Sequence, residues 1–263
     1  MQSGGFSPAS LFAGGIAGAW YDPSDLSTLF QDSAGTTPVT ASGQPVGKML
    51  DKSGNGNHAT QATSAKRPTY TAGGGLHWLA FDGTDDAMAT AAIDFTGTDK
   101  VSVFAGVRRV RVSDDITRVI ADLGNDPTTV NGSFSAAGRN TYYNTPYWGE
   151  IRGTSRVYVD SGSFTPDSAP VTRVLTYEYD IAQTAALTIK ARVDGVSQTL
   201  ALVGVSAGSG NFGNHPLFIG ARNQSTFYFN GNMYGLIIPG KMAYADEIAS
   251  TEAYMAAKSG VTL

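Results

Sequence analysis

Residues 51–61, DKSGNGNHATQ, concentrate side chains that can hold a cation: Asp51, Ser53 and Asn55 stand at alternate positions and Gly56 follows. That spacing is the first half of a calcium loop, in which oxygens of alternate residues converge on one ion. The complete loop closes with a bidentate glutamate at its twelfth position, and here that position is Ala62. A calcium site at Asp51, Ser53 and Asn55 would need ligands from elsewhere, with Asp82, Asp85 and Asp86 nearest in sequence. The competing reading is a turn in which Asp51 and the asparagines bond nearby backbone amides, so calcium stays optional. A second stretch, RNTYYNTPYWGEIRG (139–153), sets Tyr142, Tyr143, Tyr147, Trp148 and Asn144 among charged neighbours. Rings beside amides suit a sugar, whose C–H faces stack while its hydroxyls bond, so these five residues are the expected ligand contacts. NQSTFYFNGN (223–232) is a further stretch of this kind. Strand alternation points neighbouring rings to opposite sides, so some of them would fill a core instead.

Three other patterns fail on context. GSGNFG (208–213) matches the dinucleotide fingerprint, but NHPLFIGA follows where a helix N-terminus would have to hold the phosphates. GVSAG around Ser206 matches a nucleophile elbow, yet leads into a glycine-rich loop and not a helix. EYDIAQ (178–183) resembles the E-x-D-x-x-E strand of one group of sandwich-fold glucanases, but Gln183 replaces the second carboxylate their chemistry requires. No catalytic residue is assigned.

The elements that must position these groups are strands. KVSVFAGVRRVRV (100–112) puts Val101, Val103, Ala105 and Val107 on one face, then slips phase as if bulged at Arg108–Arg109. TRVIADLG, SRVYVDSG, TRVLTYEYD, HPLFIGAR and GNMYGLIIPG read as further strands, and Asp194–Gly195 as a two-residue hairpin. One helix is predicted over 244–260, with Tyr244, Ile248, Thr251 and Met255 on one face. Glycine is frequent (32 of 263 residues) and charge sparse (15%), as expected of many turns and few solvent-facing helices. There is no basic block to bind nucleic acid, no apolar run long enough for a membrane span, and no cysteine for thiol or disulfide chemistry. Residues 1–15, neutral and rich in glycine and alanine without a positive leader, read as a flexible arm ahead of one domain at 16–263.

The order of segments carries a resemblance. GAWYDPSDLSTLF, VGKMLDKSGNGNHATQATSAKRPTY and LAFDGTDDAM, then ARVDGV, then LFIGARN, FNGNMYGLIIPGKM and EIASTEAYMAAKSG resemble laminin-G-like, concanavalin A-like jelly-roll domains over residues 16–263. The resemblance implies an all-β antiparallel sandwich with a short C-terminal helix. Its relatives in tailed-phage virions and on bacterial surfaces recognise glycans or proteins, some with calcium, and this is analogy by fold. The expected protein is non-enzymatic: a tail-fibre, receptor-binding or capsid-surface component of a virion, made in the host cytoplasm. Its expected partners are other virion proteins and a host-surface glycan or protein, and a homo-oligomer is compatible with this. The alternatives are a glycoside hydrolase with an atypical carboxylate pair and a capsid decoration module that binds no glycan.

Overall fold

The computed structural model describes residues 5–110, 117–139, 146–159 and 170–263. Alternating apolar residues build two antiparallel sheets that close face to face. Among the described residues one has eight strands. Its centre is Lys100–Arg109, flanked by Val171–Asp180 and Asn230–Pro239. The other has ten, among them Met88–Asp94, Asn214–Ile219, Arg118–Leu123, Ser133–Arg139, Trp148–Arg152 and Arg156–Val159, hydrogen-bonded in that order. The chain is therefore an all-β, concanavalin A-like jelly-roll sandwich.

The central strand shows how sequence sets layer. Val101, Val103, Ala105 and Val107 enter the core between the sheets, while Phe104 joins a second core on the outer side. The phase slip read at Arg108–Arg109 is not a bulge in this strand, which stays in register with its neighbour as far as Arg109–Val171. The shift lies in the other partner, between Met233 and Gly235.

The second core covers the outer face of the eight-stranded sheet. The helix Ala245–Ser259 lies there, burying Thr251, Met255 and Ala256, and Gly260 at φ 70° closes it. Tyr244 is its N-cap and is exposed, so it does not belong to the packing face expected of it. Beside the helix sits the 3-10 turn Pro8–Phe12, with Leu11 and Phe12 buried against Trp20, Phe104 and Ile237. The expected free arm is thus docked from Pro8, because two large apolar side chains gain more from burial than the chain loses in freedom. Asp194 (φ 48°) and Gly195 (φ 75°) form the predicted hairpin turn.

Candidate functional site: the open face of the ten-stranded sheet

With the helix on one side of the sandwich, the outer face of the ten-stranded sheet takes a different character. Register places Phe218, Asp122, Ser135, Glu150 and Tyr158 in one row across five strands. Their chain neighbours Ala121, Leu123, Phe134, Ala136, Ile151, Val157 and Val159 point the other way into the core. The row is polar at its centre, and Asp122, Ser135 and Glu150 are nonetheless fully buried.

Charged carboxylates survive such burial only when paired. Arg222 supplies the pair: its Nε donates to Asp122 Oδ2 at 2.8 Å, Nη1 lies 3.5 Å from Asp126 Oδ1, and Nη2 lies 3.8 Å from Glu150 Oε2. Arg156 donates from Nε to Glu150 Oε1. Burial still pushes both carboxyls above their ordinary range, against the pull of Arg222 on Asp122 and of Arg156 and Arg222 on Glu150. Burial also works against the charge of Arg222, but Asp122, Glu150 and Asp126 outweigh it and hold the guanidinium protonated.

Each arginine also covers a ring. Arg156 lies 4.3 Å from the centre of the half-buried Tyr158 ring, and Arg222 lies 5.1 Å from that of Phe227. The arrangement is two guanidinium–aromatic stacks on either side of a buried carboxylate pair. It can offer donors beside flat apolar surface, with the orientation of both arginines fixed from beneath.

The loop that delivers Arg222 is strained. Asn223, Gln224 and Phe227 have φ of 49°, 51° and 56°, a region that a bulky aromatic residue seldom occupies. Reciprocal bonds, Arg222 N–H to Thr226 O (2.9 Å) and Thr226 N–H to Arg222 O (3.2 Å), close it. Gln61 Nε2 donates to Gln224 Oε1 at 2.9 Å and anchors its tip. Asp122 Oδ1, Glu150 Oε2 and Arg222 Nη2 are buried with no hydrogen-bond partner among the described residues. Backbone strain and incompletely bonded polar atoms both cost stability, and here they coincide.

The sequence-predicted residues that fall within the described segments lie elsewhere. Tyr147 and Trp148 are core rings, 1% and 2% exposed, which corrects the expectation that they face a ligand. Arg109 covers Tyr147 at 4.8 Å, and Trp148 packs opposite Ala137 and donates from Nε1 to Val159 O. Tyr142, Tyr143 and Asn144 lie outside the described residues.

The calcium reading of Asp51, Ser53 and Asn55 is also corrected, because the loop spends its polar groups on itself. Asp51 Oδ1 accepts from Trp20 N–H and Ser53 N–H, and Oδ2 from Ser53 Oγ and Asn57 N–H. Four donors fill the carboxylate. Asn55 and Asn57 donate from their amides to Gly18 O, pinning the strand Gly18–Tyr21. The loop is a chain reversal that fastens that strand. Asp82, Asp85 and Asp86 bring their oxygens within 4.8 Å of one another, but in a turn of their own, where Asp82 Oδ1 accepts N–H bonds from Thr84 and Asp85. In the glucanase-like stretch Asp180 likewise caps its own turn through Ala182 N–H.

Asp122, Arg156, Tyr158 and Arg222 escaped the sequence reading. The trace of Asp122 is a lone carboxylate inside the apolar run VIADLG, at a position whose neighbours point inward. Of the second aromatic stretch, Phe227 belongs to the site and Phe229 to the core.

Neither a protein-family model nor a curated protein matches the sequence. Solved structures do match the fold. The chain is similar to domain 4 of an extracellular family 43 arabinanase from Geobacillus stearothermophilus, in complex with arabinotriose. Identity is 14%, TM-score 0.59, and 90% of this chain covers 98% of that one. An arabinofuranosidase complexed with arabinofuranosyl-xylobiose matches at 13% identity and TM-score 0.62, over 97% of this chain and 65% of that one. The receptor-binding domain of botulinum neurotoxin type G matches at 9% identity and TM-score 0.53, over 78% of this chain and 48% of that one. This chain thus spans about half of the toxin chain and nearly all of the arabinanase domain. The shared property is the β-sandwich.

Proposed function

We propose that this protein is a non-enzymatic recognition module that binds a glycan on the open face of its ten-stranded sheet. The observation that carries the reading is the partly exposed stack Arg156–Tyr158 beside the stack of the buried Arg222 on the partly exposed Phe227, both held by buried carboxylates. A sugar presents C–H faces to rings and hydroxyls to donors, and such a platform offers both. Asp122 and Glu150 each bear an arginine, which supports a positioning role over acid–base work. The matched arabinanase domain and toxin binding domains, in complex with arabinotriose or named for receptor binding, are consistent with it. The virion setting, with a host-surface glycan or protein as partner and other virion proteins as neighbours, rests on the sequence resemblance alone.

The test is a glycan array and a host-cell adsorption assay with the wild type, Arg156→Ala and Tyr158→Ala. Tyr158→Ala is expected to lose about 1 to 3 kcal/mol of binding while keeping its fold, as a truncated hot spot does. Arg156→Ala is expected to lose binding together with stability, because it leaves the buried Glu150 with only Arg222 at 3.8 Å. Unchanged binding in both variants would remove this face from consideration. The glycosidase alternative has one supporting observation, the raised carboxyls of Asp122 and Glu150 on one face. It requires reducing-sugar release that Glu150→Gln abolishes.

A further inference from the structure

We propose that Asn55 is a self-modifying residue: its side-chain amide nitrogen is displaced as ammonia by the neighbouring Gly56 nitrogen, and the product loosens the docked N-terminal segment. The chain has three Asn–Gly pairs, Asn55–Gly56, Asn131–Gly132 and Asn230–Gly231, and sequence alone ranks them equally. The reaction needs the glycine N–H free as nucleophile and a backbone able to turn that nitrogen onto the asparagine carbonyl carbon.

Two of the pairs fail on geometry. Gly132 N–H is bonded to Arg152 O at 2.8 Å, and a side chain there would meet Gly213 N at 2.5 Å, so the backbone is tightly enclosed. Gly231 is buried within the strand Asn230–Pro239, between Phe81 and Arg109 on its two neighbours, and a Cβ would meet Arg108 O at 2.1 Å. Asn55 is exposed. Gly54 and Gly56 flank it at φ 94° and 75°, with no atom within 4 Å of either missing Cβ, and Gly56 N–H has no partner among the described residues. Two glycines in open space allow the rotation that the enclosed pairs forbid.

The step balances without a co-reactant other than water. Gly56 N forms a bond to Asn55 Cγ, the Cγ–Nδ2 bond breaks, and the Gly56 amide proton leaves with Nδ2 as ammonia. Water then opens the five-membered imide at either carbonyl, giving aspartate or isoaspartate at position 55. The consequence follows from what the amide does now. Asn55 Nδ2 donates to Ile16 O at 3.0 Å and to Gly18 O at 3.1 Å. A carboxylate donates nothing and would set negative charge against two carbonyl oxygens. The segment leading into Gly18–Tyr21 loses two of its ties.

The native protein is incubated at mildly alkaline pH, alongside a portion kept in denaturant, and both are read by peptide mass spectrometry and isoelectric focusing. Native protein is expected to gain one negative charge, located at residue 55, while Asn131 and Asn230 stay amides. In denaturant all three convert. Limited proteolysis is expected to cut residues 5–17 faster in the aged protein and in Asn55→Asp, and Asn55→Gln is expected to suppress the ageing. Native Asn131 or Asn230 reacting as fast as Asn55 would overturn the proposal. So would a native Asn55 that stays intact while the denatured chain converts, or an Asn55→Asp protein as resistant as the wild type.

Discussion

Replacing Asp22 with asparagine tests the bond network that holds the C-terminal helix to the sheet edge. Asp22 is 3% exposed. Its Oδ1 accepts from Ser24 N–H and Oγ, and its Oδ2 from Tyr254 OH at 2.8 Å, Lys258 Nζ at 3.0 Å and Lys52 Nζ at 3.3 Å. Burial alone would raise this carboxyl, but the bonds from Ser24, Tyr254 and Lys258 outweigh it and hold it at about 2, against 3.8 when free. A carboxyl depressed on folding stabilises the fold at every pH above its free value, and loses that contribution as pH falls toward its folded value. The shift corresponds to about 2 kcal/mol, present above about pH 4 and gone near pH 2. Asp22→Asn should therefore lower stability by about 2 kcal/mol at neutral pH, or roughly 4 to 8 °C in melting temperature for a chain of this size. Urea unfolding across pH 5 to 2 is the assay. The gap between wild type and variant should close as pH falls. A gap that stays constant through that window, or no gap at neutral pH, would refute the assignment.

Asp86 carries the opposite sign. Burial first, then repulsion from Asp82 and Asp85, raises its carboxyl to about 7 despite an N–H bond from Asp82. Its ionisation weakens the fold as pH rises from about 4 to about 7, so Asp86→Asn, which keeps the acceptor, should be more stable by about 1 to 3 kcal/mol at pH 8 and equal near pH 4, by chemical unfolding at both pH values. Trp148→Ala removes a core ring and its bond to Val159 O, and should cost about 3 to 5 kcal/mol of stability by the same assay, whereas the half-exposed Tyr158→Ala should cost about 1 kcal/mol or less.

The strands were legible because their pattern is local. Alternation in KVSVFAGV, the positive-φ chemistry of Asp194–Gly195 and the glycine stop at Gly260 each act within a few residues. The site was not legible, because it depends on which strands become neighbours. Asp122, Glu150 and Arg222 are separated by up to 100 residues and meet only through the register of sheets whose order departs from chain order. Tyr147 and Trp148 misled for the same reason: composition marked them as amphipathic contacts, and only the pairing of Trp148 with the core residue Ala137 shows which side of the sheet it takes. The loop at 51–57 misled in a different way, since oxygen atoms suited to a cation suit backbone N–H groups equally well.

The docking of Pro8–Phe12 beside the helix Ala245–Ser259 has an architectural consequence. That turn and the helix both lie on the outer side of the eight-stranded sheet, and the guanidinium–aromatic stacks lie on the far side of the other sheet. The sandwich thus has a fixed rear and a front. A partner that grips the turn or the helix meets the protein at its rear and leaves the front to whatever approaches. Several copies held on one support by this rear face would all present the same sheet outward, so weak single contacts could add up across the array.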